Sequence, residues 1–349
     1  QGKILRVQPA TDPSTVLWEN LEYSLASRTR RKSFSMTIAL LALFVSLVVG
    51  VAARIYQQEA VIEGGDDVCP DDFGELSKDD RRNAAEQDPE IIHCYCDRLP
   101  DHEREHDGLC QEYEQAKRVA TMLMFAAAMI TVATNFAVEG LMVYMARYEK
   151  HHSKDNLEQS LFRRVFFLKA LNLGVLPLLY NLRVVQEVTG NEQVQVPEDF
   201  NTLWYETTGG LIMLNMLANI CAPHVYKFFL LWRKYKRIDD ILQSTDVALT
   251  QRELNDAFLG PDFDISLRYA QIIATIFVCM MYSAGMPMLN VICFLSMLIF
   301  YWVDKLMFLR LWRTPPYYSA RLGKAATSLL DYAALVHVGM AIWMLGNDE

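Results

Sequence analysis

Long uncharged apolar runs alternate along this chain with short segments dense in charge. A hydrocarbon core ~30 Å thick is crossed by about 20 helical residues rising ~1.5 Å each. By that measure the pattern predicts about seven spans, at 33–58, about 119–146, 165–182, 207–232, 269–284, 287–304 and 325–346. The third is a poorer candidate, because it carries Lys169 and Pro177, and the last carries Asp331 and His337. Residues 269–303 are 35 residues without Asp, Glu, Lys or Arg. A straight helix of that length would run ~52 Å and overshoot a bilayer. Gly285-Met286-Pro287 near its middle is a breaker, so two short spans joined by a tight hairpin are expected.

Lys and Arg near the span ends set the expected orientation. Clusters stand at Arg28–Lys32, Arg147–Arg164, Lys227–Arg237 and Lys305–Lys324. All four fall on one side if each span crosses once, and that side is expected to be cytoplasmic. The layout is then a cytoplasmic lead-in (1–32), a first span (33–58), an acidic extracellular loop (59–116) and the remaining bundle (117–349). The fold class expected is all-α, a polytopic transmembrane helical bundle. A chain opening at Gln1 with several spans to follow reads as part of a longer protein.

Composition sharpens this picture only by segment. The chain is 52% hydrophobic and 21% charged, which excludes a disordered or collagen-like chain and an ordinary soluble enzyme. Its net charge of −9 comes from one place: residues 59–116 hold 19 acidic and 5 basic side chains, a net of −14, so the rest is +5. The basic residues sit beside apolar runs as topology signals, and nucleic acid is not an expected partner.

The same loop holds Cys69, Cys94, Cys96 and Cys110, while Cys221, Cys279 and Cys293 lie in apolar runs. Four cysteines on the oxidising side suggest two disulfides, with three connectivities open. The rival is zinc, since His93, His102 and His106 stand among the thiols. C-x-C is not the usual zinc-knuckle spacing, and the topology favours oxidation. No D-x-D-x-D-G loop for Ca²⁺ is present, and no bound cofactor is expected.

No Ser-His-Asp arrangement, H-E-x-x-H, Walker loop or dinucleotide fingerprint is found, so an enzyme is not expected. The polar residues inside spans matter more, because a mid-membrane charge usually faces a cavity or a partner. Glu139 in the second span is the sharpest case: it could draw cations into a wet path, or pair with a Lys or Arg. Asn172 shares the third span with Lys169, and Asn215 and Asn219 stand four apart on one face of the fourth. These amides could line the same path or hydrogen-bond between packed helices. Gly209-Gly210 could be a gate hinge or a close-packing site. Asp304-Lys305 reads as an interfacial ion pair, and His151 and His152 as solvated.

Several motifs carry a resemblance. Asp12-Pro13 followed by Trp18-Glu19-Asn20-Leu21, Phe136 with Glu139-Gly140, Arg147 with Glu149, and Leu157-Glu158 with Phe162 occur in order. Trp204-Tyr205 with Gly209-Gly210, Arg268-Tyr269-Ala270, Tyr301-x-x-Asp304-Lys305 and Pro315-Pro316-x-Tyr318 follow. Over roughly residues 12–346 the chain resembles the OSCA family of stress-gated cation channels, part of the wider anoctamin superfamily, and most of all its protist members.

The resemblance implies passive cation permeation, Ca²⁺ included, opened mechanically or osmotically, through a pore lined mainly by the first five spans. Glu139, Asn172, Asn215 and Asn219 are then the pore candidates, and Gly209-Gly210 the gate candidate on the gating helix. Membrane lipids and permeating cations are the expected partners, with a homodimer or larger assembly and an extracellular protein contact through 59–116. The expected location is a plasma or ciliary membrane. Lipid scrambling, or a non-conducting structural subunit, are the alternatives.

Overall fold

The apolar run that opens the chain becomes one long helix, α1 (Leu25–Glu59), whose basic first turns precede the uncharged stretch. The structure is a computed structural model. It describes residues 13–59, 73, 76–87, 91–104, 106–180, 200, 204–243, 250–314 and 320–346. Within these, the helices after α1 are α2 (Lys78–Gln87), α3 (Ile92–Asp97), α4 (Asp101–Arg104), α5 (Gly108–Tyr148), α6 (Lys154–Ala170) and α7 (Leu176–Tyr180). They continue as α8 (Gly210–Gln243), α9 (Gln251–Phe258), α10 (Ile265–Tyr282), α11 (Met288–Arg310) and α12 (Arg321–Leu345). Among the described residues there is no β-strand, only an isolated bridge between Val16 and Ser153. The fold is all-helical.

Four helices are long and apolar enough to cross a membrane: α1 over Leu25–Ala52, α10, α11 and α12. The expected runs 119–146, 165–182 and 207–232 fall mainly on α5, on α6 with its continuation, and on α8. The chain also breaks where Gly285 and Pro287 predict: α10 stops at Tyr282 and α11 starts at Met288.

The helices divide between two compact units. One holds residues 1–46, 132–175 and 215–349. Its core joins α1, α5, α6, α10 and α12 through Ala39, Met142, Phe162, Phe166, Ala270 and Ala326. Small residues at Ala270, Ala274 and Ala326 let these helices approach closely. Helix α10 packs against α6, α11 and α12, and most of its residues are buried. Helices α11 and α12 instead turn large apolar side chains such as Phe294, Leu309, Leu335 and Ile342 outward, as a lipid-facing surface would.

The α5–α6 turn in this unit is locked by charge. Glu149 is buried and pairs with Arg164 and with His151 Nε2 (3.0 Å), while Arg164 Nη1 donates to Ser35 Oγ on α1 at 2.6 Å. Ser153 caps α6 by accepting from Asn156 N. Asn20 donates to the His151 carbonyl at 2.8 Å, which gives the Trp18-Glu19-Asn20 motif a structural reason. His151 and His152 are therefore not the solvated pair that their polar setting suggested. His152 meets Arg28 at 3.1 Å, so neighbouring chain supplies their partners.

Burial pushes the Glu149 carboxyl up, but hydrogen bonds from His151, Arg164 and Ser35 outweigh it and hold the group below the usual glutamate value. A carboxyl depressed by folding adds stability above its unfolded value near 4.5 and loses it as pH falls further. Acidification below about pH 4.5 should thus loosen this turn. Hydrogen exchange at residues 149–157, compared between pH 6 and pH 4, checks it, and Glu149→Gln should remove the pH dependence.

Gly260 marks a second junction. It sits at φ +61°, and a Cβ there would lie 1.9 Å from the Leu311 carbonyl oxygen at the end of α11. The link is pinned as Arg313 N donates to the Pro261 carbonyl and the Arg313 side chain pairs with Asp262. Gly260→Ala should cost about 1–3 kcal/mol for the strained backbone alone, before the clash is counted. Its thermal midpoint in detergent should fall by several degrees, and an unchanged midpoint would mean the link is not docked there.

The other unit holds residues 47–131 and 176–214. Its described core gathers Phe73, Ala85, Tyr95, Leu99 and three cysteines. Cys96 and Cys110 form a disulfide with Cα atoms 5.5 Å apart. Cys94 is also disulfide-bonded, and Cys69 lies outside the described residues. Three of the four thiols are thus oxidised, which leaves no thiolate among them for zinc. Tyr95 donates to Asp107 Oδ2 at 2.8 Å; burial first, then that bond, push its hydroxyl up to about 12.

Candidate functional site

The polar residues of the first unit collect in two places. The first lies between α1, α5 and α6. Asn135 and Glu139 stand four apart on α5, so they share a face. Lys169 ends α6, and Asn172 follows in a π-helical turn, Leu171–Val175. Glu139 Oε2 pairs with Lys169 Nζ at 2.6 Å, and Asn172 Nδ2 donates to Asn135 Oδ1. Ser46 of α1 completes the polar lining.

These side chains surround a cavity of about 10 Å³, walled otherwise by Leu43, Val138, Met142, Val165 and Leu168. That is room for about one water molecule. Asn135 Nδ2 is buried and has no hydrogen-bond partner among the described residues. A buried amide donor is costly to leave unpaired, so this site is chemically wet even though it is narrow.

The π turn also has consequences. A wider turn spoils the regular hydrogen-bond ladder, and such turns often mark functional positions. Here the Gly174 carbonyl accepts from the Tyr282 hydroxyl of α10. A Cβ on Gly174 would lie 3.2 Å from Met281 Sδ, so the glycine lets α10 come close.

The second group links α8, α10 and α11. Asp304 Oδ1 accepts from Arg268 Nη2 at 2.6 Å and from Lys227 Nζ at 3.0 Å. Arg268 also donates to Gln271, whose amide donates to the Asn219 carbonyl. Asn219 Nδ2 returns to the Asn215 carbonyl, and Asn215 Oδ1 is buried and unpaired among the described residues. His224 on α8 is buried against Phe300, with both ring nitrogens likewise unpaired.

Of the pore candidates, Glu139 and Asn172 thus meet at one cavity, while Asn215 and Asn219 join the second network. The two groups are not electrically isolated, since Arg268 feels both Asp304 and Glu139. Asp304 corrects an expectation: it pairs with Arg268 and Lys227, not with Lys305, which lies over the rings of Tyr301 and Trp302. Adjacent residues on a helix point about 100° apart and cannot face each other. Asn135, Ser46, Gln271 and Arg268 were not singled out. Asn135 carried a usable signal, as an amide one turn before Glu139 on an apolar helix.

In the other unit a π turn, Tyr205–Gly209, leads into α8 at Gly210. A Cβ at Gly210 would meet nothing within 4 Å, so close packing does not explain that glycine.

A helical chain with apolar helices turned outward and charged residues paired inside is an integral membrane protein. It belongs to the anoctamin family: the family model described as "Anoctamin: Calcium-activated chloride channel" matches residues 4–326. Membership makes it a channel or scramblase by class. A comparison with individually curated proteins returned no match.

Proposed function

We propose that this chain forms the membrane portion of a passive ion channel with a cation preference, Ca²⁺ included, opened by membrane stress. The supporting observation is the cavity between α1, α5 and α6, where Glu139 and an unpaired amide of Asn135 face a space about one water wide. At that width no hydrated ion passes, so the arrangement corresponds to a closed constriction. Moving α6 away from α5 would part Glu139 from Lys169 and open a path with a carboxylate at its wall.

Seven spans with the basic clusters on the cytoplasmic side, in a plasma or ciliary membrane, complete the reading. Gly209-Gly210, beside the π turn at the start of α8, is the proposed bending point. Short spans make the energy of each state depend on bilayer thickness, which couples opening to tension. Assembly as a homodimer, and contact of the disulfide-bearing unit with an extracellular protein, belong to the same proposal.

The family description names chloride, and Lys169 at the cavity would favour an anion once freed from Glu139. Patch recordings of the full protein in liposomes under suction decide between these outcomes. Stretch-activated current reversing near the cation equilibrium potential is expected. Reversal at the chloride potential overturns the cation preference, and silence at lytic tension overturns the channel. A fluorescent-lipid assay in the same liposomes reads scrambling directly.

A further inference from the structure

Beyond the ion path, a trough of about 670 Å³ lies between α1 and α6. Its lining is split by chemistry. Arg28, Lys32 and Arg163 gather at one end, and Met36, Leu40 and Phe167 continue it as an apolar wall. None of the three cations pairs with a carboxylate among the described residues, and Arg28 meets only His152 and the trough. The neighbouring Arg164 is by contrast already neutralised by Glu149. The apolar side chains are open: Met36 is 52% exposed, Leu40 62% and Phe167 53%.

The dimensions fit a lipid. From Lys32 to Leu43, α1 rises ~16 Å, about half of a ~30 Å hydrocarbon core and so about one leaflet deep. Charge selects which lipid. Three unpaired cations at the polar end are not balanced by a zwitterionic headgroup, whose net charge is zero, whereas an anionic headgroup contributes charge they attract.

We propose that this trough seats one anionic phospholipid, its phosphate among Arg28, Lys32 and Arg163 and an acyl chain along Met36, Leu40 and Phe167. The site requires only that α1 stand in a bilayer, so it holds whether or not the protein conducts.

Spin-labelled phosphatidylserine and phosphatidylcholine, each mixed into bilayers with the full protein, test this by the motionally restricted fraction of the electron spin resonance spectrum. Phosphatidylserine should associate several-fold more strongly than phosphatidylcholine. The variant Arg28→Ala with Lys32→Ala and Arg163→Ala should bring the ratio to about one, as loss of surface cation attraction requires. Leu40→Trp, which fills the apolar wall and leaves the cations in place, should reduce the restricted signal of phosphatidylserine selectively. Arg233→Ala with Lys236→Ala, a basic pair elsewhere, should leave the ratio unchanged. Equal association of the two lipids with the unaltered protein overturns the proposal. So does an undiminished ratio in the triple variant, or, should that variant not fold, an undiminished signal in Leu40→Trp. Displacement of labelled phosphatidylserine by millimolar inorganic phosphate would make this a site for a soluble anion and overturn the lipid assignment.

Discussion

Asp304→Asn should be among the most damaging single changes in this chain. The carboxylate neutralises two cations at once, Arg268 and Lys227, with side-chain exposures of 7% and 13%. Removing one member of a buried pair costs about 3–5 kcal/mol, because the partner's charge stays buried. Here two charges are stranded, and the helices that carry them, α8 and α10, lose their shared tie to α11. The thermal midpoint in detergent should drop sharply, with loss of monodisperse protein on gel filtration. Adding Lys227→Met should restore part of the loss, since one stranded charge is removed. A midpoint within experimental scatter of the unaltered protein would mean water reaches this network freely.

Glu139→Gln is the second large effect, and it separates two roles. As a structural partner, Glu139 offsets Lys169, whose side chain is 11% exposed. Its removal should cost about 3 kcal/mol by the same logic. As a pore group, it should also favour cations, so the cation-to-anion permeability ratio should fall about tenfold, the equivalent of ~1.4 kcal/mol in ion stabilisation. The double change Glu139→Gln with Lys169→Met isolates the second role. Stability should return, because no charge is left unpaired, while the lost cation preference should not. If the double variant recovers both, Glu139 is only Lys169's partner and the path lies elsewhere.

What could be read from the residues depended on the range of the interaction. The break between α10 and α11 was legible because a 35-residue uncharged run cannot stay straight and Gly285 and Pro287 mark where it bends. The helical class followed from run length alone. The tie between Glu139 and Lys169 was only one of several options for that carboxylate, since its partner lies 30 residues away on another helix. The lock of Glu149 on Arg164 and Ser35 had no local sign, because Ser35 and Arg164 are 129 residues apart. Asp304 misled for the opposite reason: its nearest neighbour in sequence is a lysine that helical geometry turns away. The two π turns left no mark in the pattern either, since one inserted residue shifts the helical phase too little to disturb an apolar run.

The joining of Glu139 to Lys169 also bears on which forces can drive this protein. A membrane potential does work on net charge, ~2.3 kcal/mol per elementary charge for each 100 mV crossed. Two opposite charges 2.6 Å apart that travel together carry almost none. A rearrangement that keeps this couple intact is therefore nearly blind to voltage, and any steep electrical dependence would require the couple to separate before the helices move.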